Sequence, residues 1–467
     1  MSRDDFYVYT VPAGIPPSAT FVASDLSEKA RRRDPSITDS TVGALKESAY
    51  DMLPAWEEGA RSMKGNPLYD APKFKIGYPN TVGSNELRSA IAFKHAKIKG
   101  VQGVVAAHVA CSNGGKGTLN GIFSILEEGD EVLAAGPGWP SNSNLFPAGV
   151  RYVEVDTGGR GLMTPEQIRR ARREFPRLRS ILVNDRVNPT GAVYSDEERE
   201  GVFEAAGDIG FGGSSGKFMV WDNPYGRLIH PGTDVSLTAG RWERSLFANG
   251  GLVEIGTTSK NFGSPYLRIG WAVTTNKPLL EQVGKFNLAR GTGVVVTSER
   301  PAQLMLLFGD EWVANMARTL GERATTLSGL INQISVTGTD GTPRSLKMAK
   351  PGAAIYGWID CTELNGMVIP GALMADGKDC VFGPGTAEHF FREQKTDGVA
   401  LIGGGPFYAP GSPFAGTKTF VRVVLVGQEQ EAARRMGAAV SRLVLPGRQI
   451  DATTLAQGGP QPEGRVA

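Results

Sequence analysis

The stretch EIGTTSKNFGSPYLRIGWA, residues 254–272, decides how the rest of the chain reads. An apolar run at 252–256 passes into a polar turn rich in Thr and Ser, and Lys260 follows. Gly263-Ser264-Pro265 then breaks the chain before a second apolar run, 269–274. The lysine thus stands between two strand-like segments rather than on a charged helical face. Partial burial there disfavours the ammonium form and prepares the amine as a nucleophile toward a carbonyl. Arg268, eight residues on, carries a permanent charge on a fork shaped for phosphate. A lysine for an aldehyde and an arginine for a phosphate together point to pyridoxal phosphate (PLP). For an isolated Lys-x7-Arg a solvated loop is the commoner explanation, so the assignment depends on partners elsewhere in the chain.

Composition narrows the classes. With 467 residues the chain has room for about three average domains, or for one large α/β unit and a smaller companion. A hydrophobic content of 40% and a charged content of 21% are ordinary for a globular protein. The formal charge of +2 is too small to argue for nucleic acid or an anionic membrane. No run of 18 apolar residues occurs, so no membrane span is expected. The start, MSRDDFYVYT, has early acids and no apolar core, and does not read as a signal peptide. Cys111, Cys361 and Cys380 are an odd number at unrelated spacings, fitting neither a disulfide framework nor a zinc site. The expected home is a reducing cytoplasm. Four histidines and no HExxH leave metal chemistry without support, and no metal site is expected.

Residues 1–60, broken early by Pro12, Pro16 and Pro17, read as an arm plus one helix around 41–59. Ser84 caps a helix with Leu87, Ile91, Ala92 and Ile98 on or near one face. The near-continuous apolar run 104–111 suits a buried strand. Strands at 131–135, 151–155, 180–184 and 218–221 then alternate with helices at 118–128, from Thr164-Pro165-Glu166 onward, and at 196–206. This alternation predicts an α/β fold, a doubly wound, mainly parallel sheet covered on both faces. The Gly- and Ser-rich cluster 212–216 reads as a flexible connection. After Glu299-Arg300-Pro301, Leu304, Leu307, Phe308, Trp312 and Met316 recur at helical spacing, and Leu320, Leu327 and Ile331 continue the pattern. That helix opens a smaller α+β unit with strands near 354–359 and 419–426 and a last helix near Gln428. The expected division is 1–60 joining the small domain, 61–299 as the large domain, 300–450 as the small domain, and a frayed tail at 451–467.

Six sites each supply something PLP requires. Ser112-Asn113-Gly114-Gly115-Lys116-Gly117, between strand and helix, directs N–H groups and a positive helix end at a phosphate. It is no P-loop, since Ala110 fills the first glycine position and Gly117 follows the lysine. Trp139, in Pro137-Gly138-Trp139-Pro140, can stack on a pyridine ring or simply anchor a loop. Asn188, in Asn188-Pro189-Thr190-Gly191, can donate its amide to the ring's phenolic oxygen, although a plain turn explains the motif too. Asp222, in Asp222-Asn223-Pro224-Tyr225, can keep the pyridine nitrogen protonated, and the Tyr225 phenol can reach the same oxygen as Asn188. The Lys260/Arg268 pair is the fifth site, with Thr257 as a further phosphate ligand. Arg422, in FVRVVLV, is an arginine among valines that needs an anion, either a substrate carboxylate or a structural ion pair.

In this order the motifs resemble those of the class I/II aminotransferases, PLP enzymes of fold type I. The likeness runs from about Tyr78 to Arg422, and SKNFGSPYLRIGW with NPTG and D-x-x-Y before it carries most of the specificity. The resemblance implies a homodimer in which Tyr78 reaches the neighbouring subunit's cofactor phosphate. It also implies transfer of the α-amino group of an L-amino acid to a 2-oxo acid. Lys260 would link to PLP and move the α-proton, Asp222 would hold the ring nitrogen, and Arg422, with Asn188 and Trp139, would bind substrate. The sequence departs from the family pattern at Arg186, Tyr266 and Lys116, each a candidate to reshape the pocket. Arg290 and Arg300 lie where a second substrate carboxylate could bind. The same scaffold also supports β- or γ-elimination and γ-replacement, and, more remotely, a non-catalytic regulator.

Overall fold

The computed structural model describes residues 5–13, 19–41, 43–72, 79–290, 293–338 and 340–445. Tyr78 and the tail at 451–467 lie outside the described residues. The main sheet has eight strands: β1 (Phe6–Thr10), β2 (Val109–Asn113), β3 (Glu131–Gly136), β4 (Arg151–Asp156), β5 (Leu178–Asn184), β6 (Phe218–Asp222), β7 (Leu252–Thr257) and β8 (Ile269–Val273). Their order across the sheet is β1-β4-β3-β5-β6-β7-β8-β2. The run from β4 to β7 is parallel. β1, β8 and β2 pair antiparallel at the edges.

Strand residues alternate between two cores, as the two-residue period requires. Leu182, Val220, Val253 and Ile255 pack with Ile122, Phe123 and Val283 on one face. Ile181, Val183, Met219 and Trp221 pack with Ile168, Val202 and Phe203 on the other. This is the doubly wound α/β class expected from near-continuous apolar strands, which need helices on both faces. A smaller antiparallel sheet follows, β9 (Tyr356–Asp360), β10 (Ile402–Gly403) and β11 (Phe420–Val424), in the order β9-β11-β10. Helices Asp310–Ile331 and Glu429–Val440 share one apolar cluster with it.

Several boundaries differ from the sequence reading, each for a local reason. Only Val109–Asn113 of the run 104–111 is strand; Ala106–His108 forms a turn of 3-10 helix, where Val105 donates its N–H to His108 Nδ1 and its side chain is exposed. The helix expected at 118–128 is Gly114–Phe123, so the glycines of the turn are its first residues. The helix around 41–59 is a 3-10 turn, Ala49–Met52, capped by Ser48, followed by the helix Leu53–Ser62. Residues 40, 41 and 43–48 are left as coil and bends.

The long helix beginning at Pro301 is two. Val296–Phe308 starts before the proline, held by Glu299, whose carboxylate accepts the Ser84 N–H at 3.1 Å, and by buried Ala302, Leu304 and Met305. That anchoring outweighs the proline's missing hydrogen bond. Asp310–Ile331 begins after Gly309, where Asp310 meets Lys94 and Arg227, each at 2.6 Å. The boundary expected at 299/300 thus falls inside a helix. The first 60 residues also divide: β1 joins the main sheet beside β4, whereas Thr38–Asp39 pairs with Val399–Ala400.

Candidate active site

In a parallel sheet the carboxyl ends of the strands open on one edge, and the candidate residues lie there. β2 runs directly into the helix Gly114–Phe123, so the N–H groups of Gly114, Gly115 and Lys116 fall in its first turn, where helix geometry leaves them without intrahelical partners. Gly114 has φ +76°, and a Cβ on it would lie 2.5 Å from Nη2 of Arg268. A Cβ on Gly270 would lie 2.3 Å from the Gly114 carbonyl carbon. Neither position has room for a side chain, which brings main-chain N–H groups and a guanidinium to the same small space.

Arg268 adopts the left-handed conformation at φ 54°, which costs an L-residue about 1–2 kcal/mol. That turn returns its guanidinium to the Asn113 carbonyl at 3.3 Å and the Pro265 carbonyl at 3.1 Å, with the side chain still exposed. Thr257 ends β7 and caps the short helical turn Thr258–Asn261, accepting the Ser259 N–H at 3.1 Å. Its Oγ1 lies 2.9 Å from Ser259 Oγ. Main-chain donors, two hydroxyls and one guanidinium make this an anion cup. Ser259 was not singled out by the sequence; its spacing, one residue before the lysine, was the available signal.

Asp222 closes β6 and is 6% exposed. Among the described residues no group hydrogen-bonds its carboxylate, and burial pushes its pKa up to about 7. Its main-chain carbonyl accepts from Asn184 Nδ2 at 2.9 Å, and Asn184 Oδ1 accepts the Asn188 N–H at 2.8 Å. Asn188 is thereby hung from the end of β6. Arg422 Nη1 donates to Asn188 Oδ1 at 3.1 Å, a bond that does not use the Asn188 amide protons, and Nη2 donates to the Thr41 carbonyl at 2.8 Å. Nε of Arg422 has no partner among the described residues, and burial lowers the guanidinium's pKa. The guanidinium stacks 4.4 Å from the Tyr356 ring centroid and 5.1 Å from that of Phe407.

The Tyr225 hydroxyl lies 2.8 Å from that of Tyr356. Burial, and then its neighbour Tyr356, push the Tyr225 phenol well above its ordinary range. Lys260 is partly buried and donates to the Gly43 carbonyl. A Cβ on Gly43 would lie 2.5 Å from the Tyr356 hydroxyl. Thr41 therefore meets Arg422, and Gly43 meets both Lys260 and Tyr356. None of Thr41, Gly43 and Tyr356 was legible beforehand, because two act through main-chain carbonyls and the third sits in an apolar strand.

Trp139, partly buried, follows β3, and Lys116 Nζ lies 5.8 Å from its ring centroid. Burial lowers the Lys116 pKa, and no carboxylate pairs with it among the described residues. The other departures lead elsewhere. Arg186 pairs with Asp185 in the interior, and burial, then Arg199, lower it to about 9. Tyr266 is exposed and bonds Ser48 Oγ at 2.8 Å. Arg300 is held by Glu57 and the Tyr69 carbonyl at 2.9 and 3.0 Å. Arg290 is exposed, its guanidinium 5.4 Å from the Phe286 ring centroid.

The family described as aminotransferase class I and II matches residues 45–436. The aspartate/prephenate aminotransferase of Thermus thermophilus is 30% identical over 259 residues, 55% of this chain and 61% of that protein. The valine–pyruvate aminotransferase of Mycobacterium tuberculosis is 28% identical over 198 residues, 42% of this chain and 48% of that protein. The chain thus spans between about half and three fifths of the length of these two relatives. In fold, the crystal structure of the aspartate aminotransferase of Rhizobium meliloti matches with a TM-score of 0.74 at 19% identity, covering 93% of this chain and 99% of that one.

Proposed function

The chain belongs to the class I and II aminotransferase family, and from that premise we propose that it moves the α-amino group of an L-amino acid to a 2-oxo acid. The family's cofactor is pyridoxal 5′-phosphate, and the residues present fit it. When bound, it supplies an aldehyde for a covalent link to an amine and a ring that takes up negative charge from the substrate α-carbon. The observation that carries the reading is Asp222, a buried carboxylate without a partner among the described residues, at the end of β6 and next to the strand that leads to Lys260. A buried acid in that state calls for a cation, and a protonated pyridine nitrogen is one.

The other residues take their parts from the same geometry. Gly114, Gly115 and Lys116 through their N–H groups, Thr257 and Ser259 through hydroxyls, Asn113 at the helix cap, and Arg268 would hold the phosphate. Asn188 and Tyr225 would donate to the phenolic oxygen, and Trp139 would cover the ring. Lys260 would form the covalent link and, when released, carry the α-proton as general base. Arg422, whose Nε has no partner among the described residues, would take the α-carboxylate. With Arg300 tied to Glu57, the Lys116 side chain is the cation we assign to an anionic substrate group, so dicarboxylic amino acids head the panel to be tested.

We propose further that the chain acts as a homodimer in the cytoplasm, with Tyr78 completing the partner's phosphate site. Supporting this, Arg268 stays exposed in the single chain, and exposed Tyr50 and Tyr266 pack on one another beside it. No helix among the described residues is long and apolar enough to cross a membrane. We keep 61–299 and 300–450 as the approximate large and small domains, with the helix Val296–Phe308 running across their boundary and β1 added to the large one. The deciding experiment mixes purified, PLP-loaded protein with a panel of amino acids and follows absorbance and products. An oxo acid with an aminated cofactor is the expected result. Release of ammonia or of a side-chain leaving group would instead mean elimination or replacement.

A further inference from the structure

We propose that Tyr356 is a positioning residue that makes Tyr225 a stronger hydrogen-bond donor to the cofactor's phenolic oxygen, acting through the bond between their two hydroxyls. The inference rests on the placement of Tyr225 just given. Each phenol has one proton, so only one of the pair can donate across the 2.8 Å contact. If Tyr225 points its proton at the cofactor, the contact is made by the Tyr356 proton. A hydroxyl that accepts one hydrogen bond donates another more strongly, because the two polarise each other.

Three features of the fold favour that direction. Tyr356 is 1% exposed and neither hydroxyl has another hydrogen-bond partner among the described residues, so water does not compete. The Arg422 guanidinium lies 4.4 Å from the Tyr356 ring centroid, and a cation over a phenol draws electron density from its oxygen and strengthens its O–H as a donor. Strand register fixes that stacking: Tyr356 pairs with Val424 and Trp358 with Arg422, which makes Tyr356 and Arg422 diagonal neighbours on one face of the small sheet. Lastly, the missing side chain of Gly43 leaves room for the Tyr356 hydroxyl and no more, since a Cβ there would come within 2.5 Å of it. The two rings meet edge to face at 79° with centroids 5.6 Å apart, so the hydroxyls converge without either ring leaving its core position.

The test is a spectrophotometric pH titration of the PLP-loaded protein without substrate. Donors to the phenolic oxygen favour its charged form and hold the midpoint of that titration down. Tyr225→Phe is expected to raise the midpoint. Tyr356→Phe, which keeps the ring beneath Arg422, should raise it by less, about half a pH unit for one ordinary hydrogen bond acting at second hand. The variant carrying both changes should titrate like Tyr225→Phe alone, because Tyr356 then has nothing to act through. An unmoved midpoint in Tyr356→Phe overturns the inference, as does a shift of the same size in the Tyr225→Phe background. Should Tyr225→Phe itself leave the midpoint in place, the placement of Tyr225 fails and the inference falls with it.

Discussion

At the scale of single residues, Asp222 ties chemistry to stability. Its folded pKa of about 7 stands above the ordinary 3.8 because burial penalises the charge. A raised carboxyl contributes stability that is complete below the unfolded pKa and lost as pH rises through the folded one. Cofactor-free protein is therefore expected to lose stability between about pH 4 and pH 7, by about 4 kcal/mol at most. Thermal melts of the cofactor-free protein across that range should show the loss, and Asp222→Asn should flatten it; equal slopes in both proteins would mean that another group is responsible. Most motif residues could be named from sequence because they sit in short runs of turn-formers with fixed neighbours, and Arg422 because it is a charge among valines. Gly43 could not, since its contribution is a main-chain carbonyl and the absence of a side chain. Tyr356 could not either: in YGWID it reads as one more apolar strand residue, and only the register of β9 on β11 sets it beside Arg422.

Among the elements, the junction of β2, β8 and the helix Gly114–Phe123 is the tightest around the cup. Gly270 lies on β8 opposite Ser112, and its Cα faces the backbone of Gly114 and Gly115. Gly270→Ala would force β8 away from that first helical turn and move Arg268, two residues earlier, with it. We expect the variant to keep its far-ultraviolet circular dichroism while PLP retention on dialysis falls at least tenfold, about 1.4 kcal/mol or more. Normal retention would mean that the cup tolerates a shift of the strand. The strands were legible as elements because buried parallel strands leave nearly unbroken apolar runs. The division of the helical stretch at Gly309 was not, since the periodicity continues through it. What breaks the helix is packing, with Phe262 occupying the space a side chain at 309 would need and Asp310 held by two cations.

For the whole molecule, the proposed dimer makes each site depend on two chains. Dilution should then remove activity and PLP together. Mixing Tyr78→Phe with Lys260→Ala subunits gives heterodimers in which one site carries both lesions and the other neither, so activity should exceed that of either parent. No recovery despite demonstrated exchange, with the Tyr78→Phe parent clearly impaired, would mean that Tyr78 serves its own subunit. The alternation of strands and helices announced the α/β class, but not the order of the sheet, because nothing local in β2 says that its neighbour is β8. That pairing also bears on how the chain is made. Asn113 meets Ile269, so the first-synthesised wall of the cup waits for about 150 further residues before its neighbouring strand exists. At ribosomal speeds of about 5–20 residues per second, the wait is roughly ten to thirty seconds. Throughout that interval β2 is an unpaired apolar strand on a growing chain, the kind of segment that nascent-chain chaperones shield.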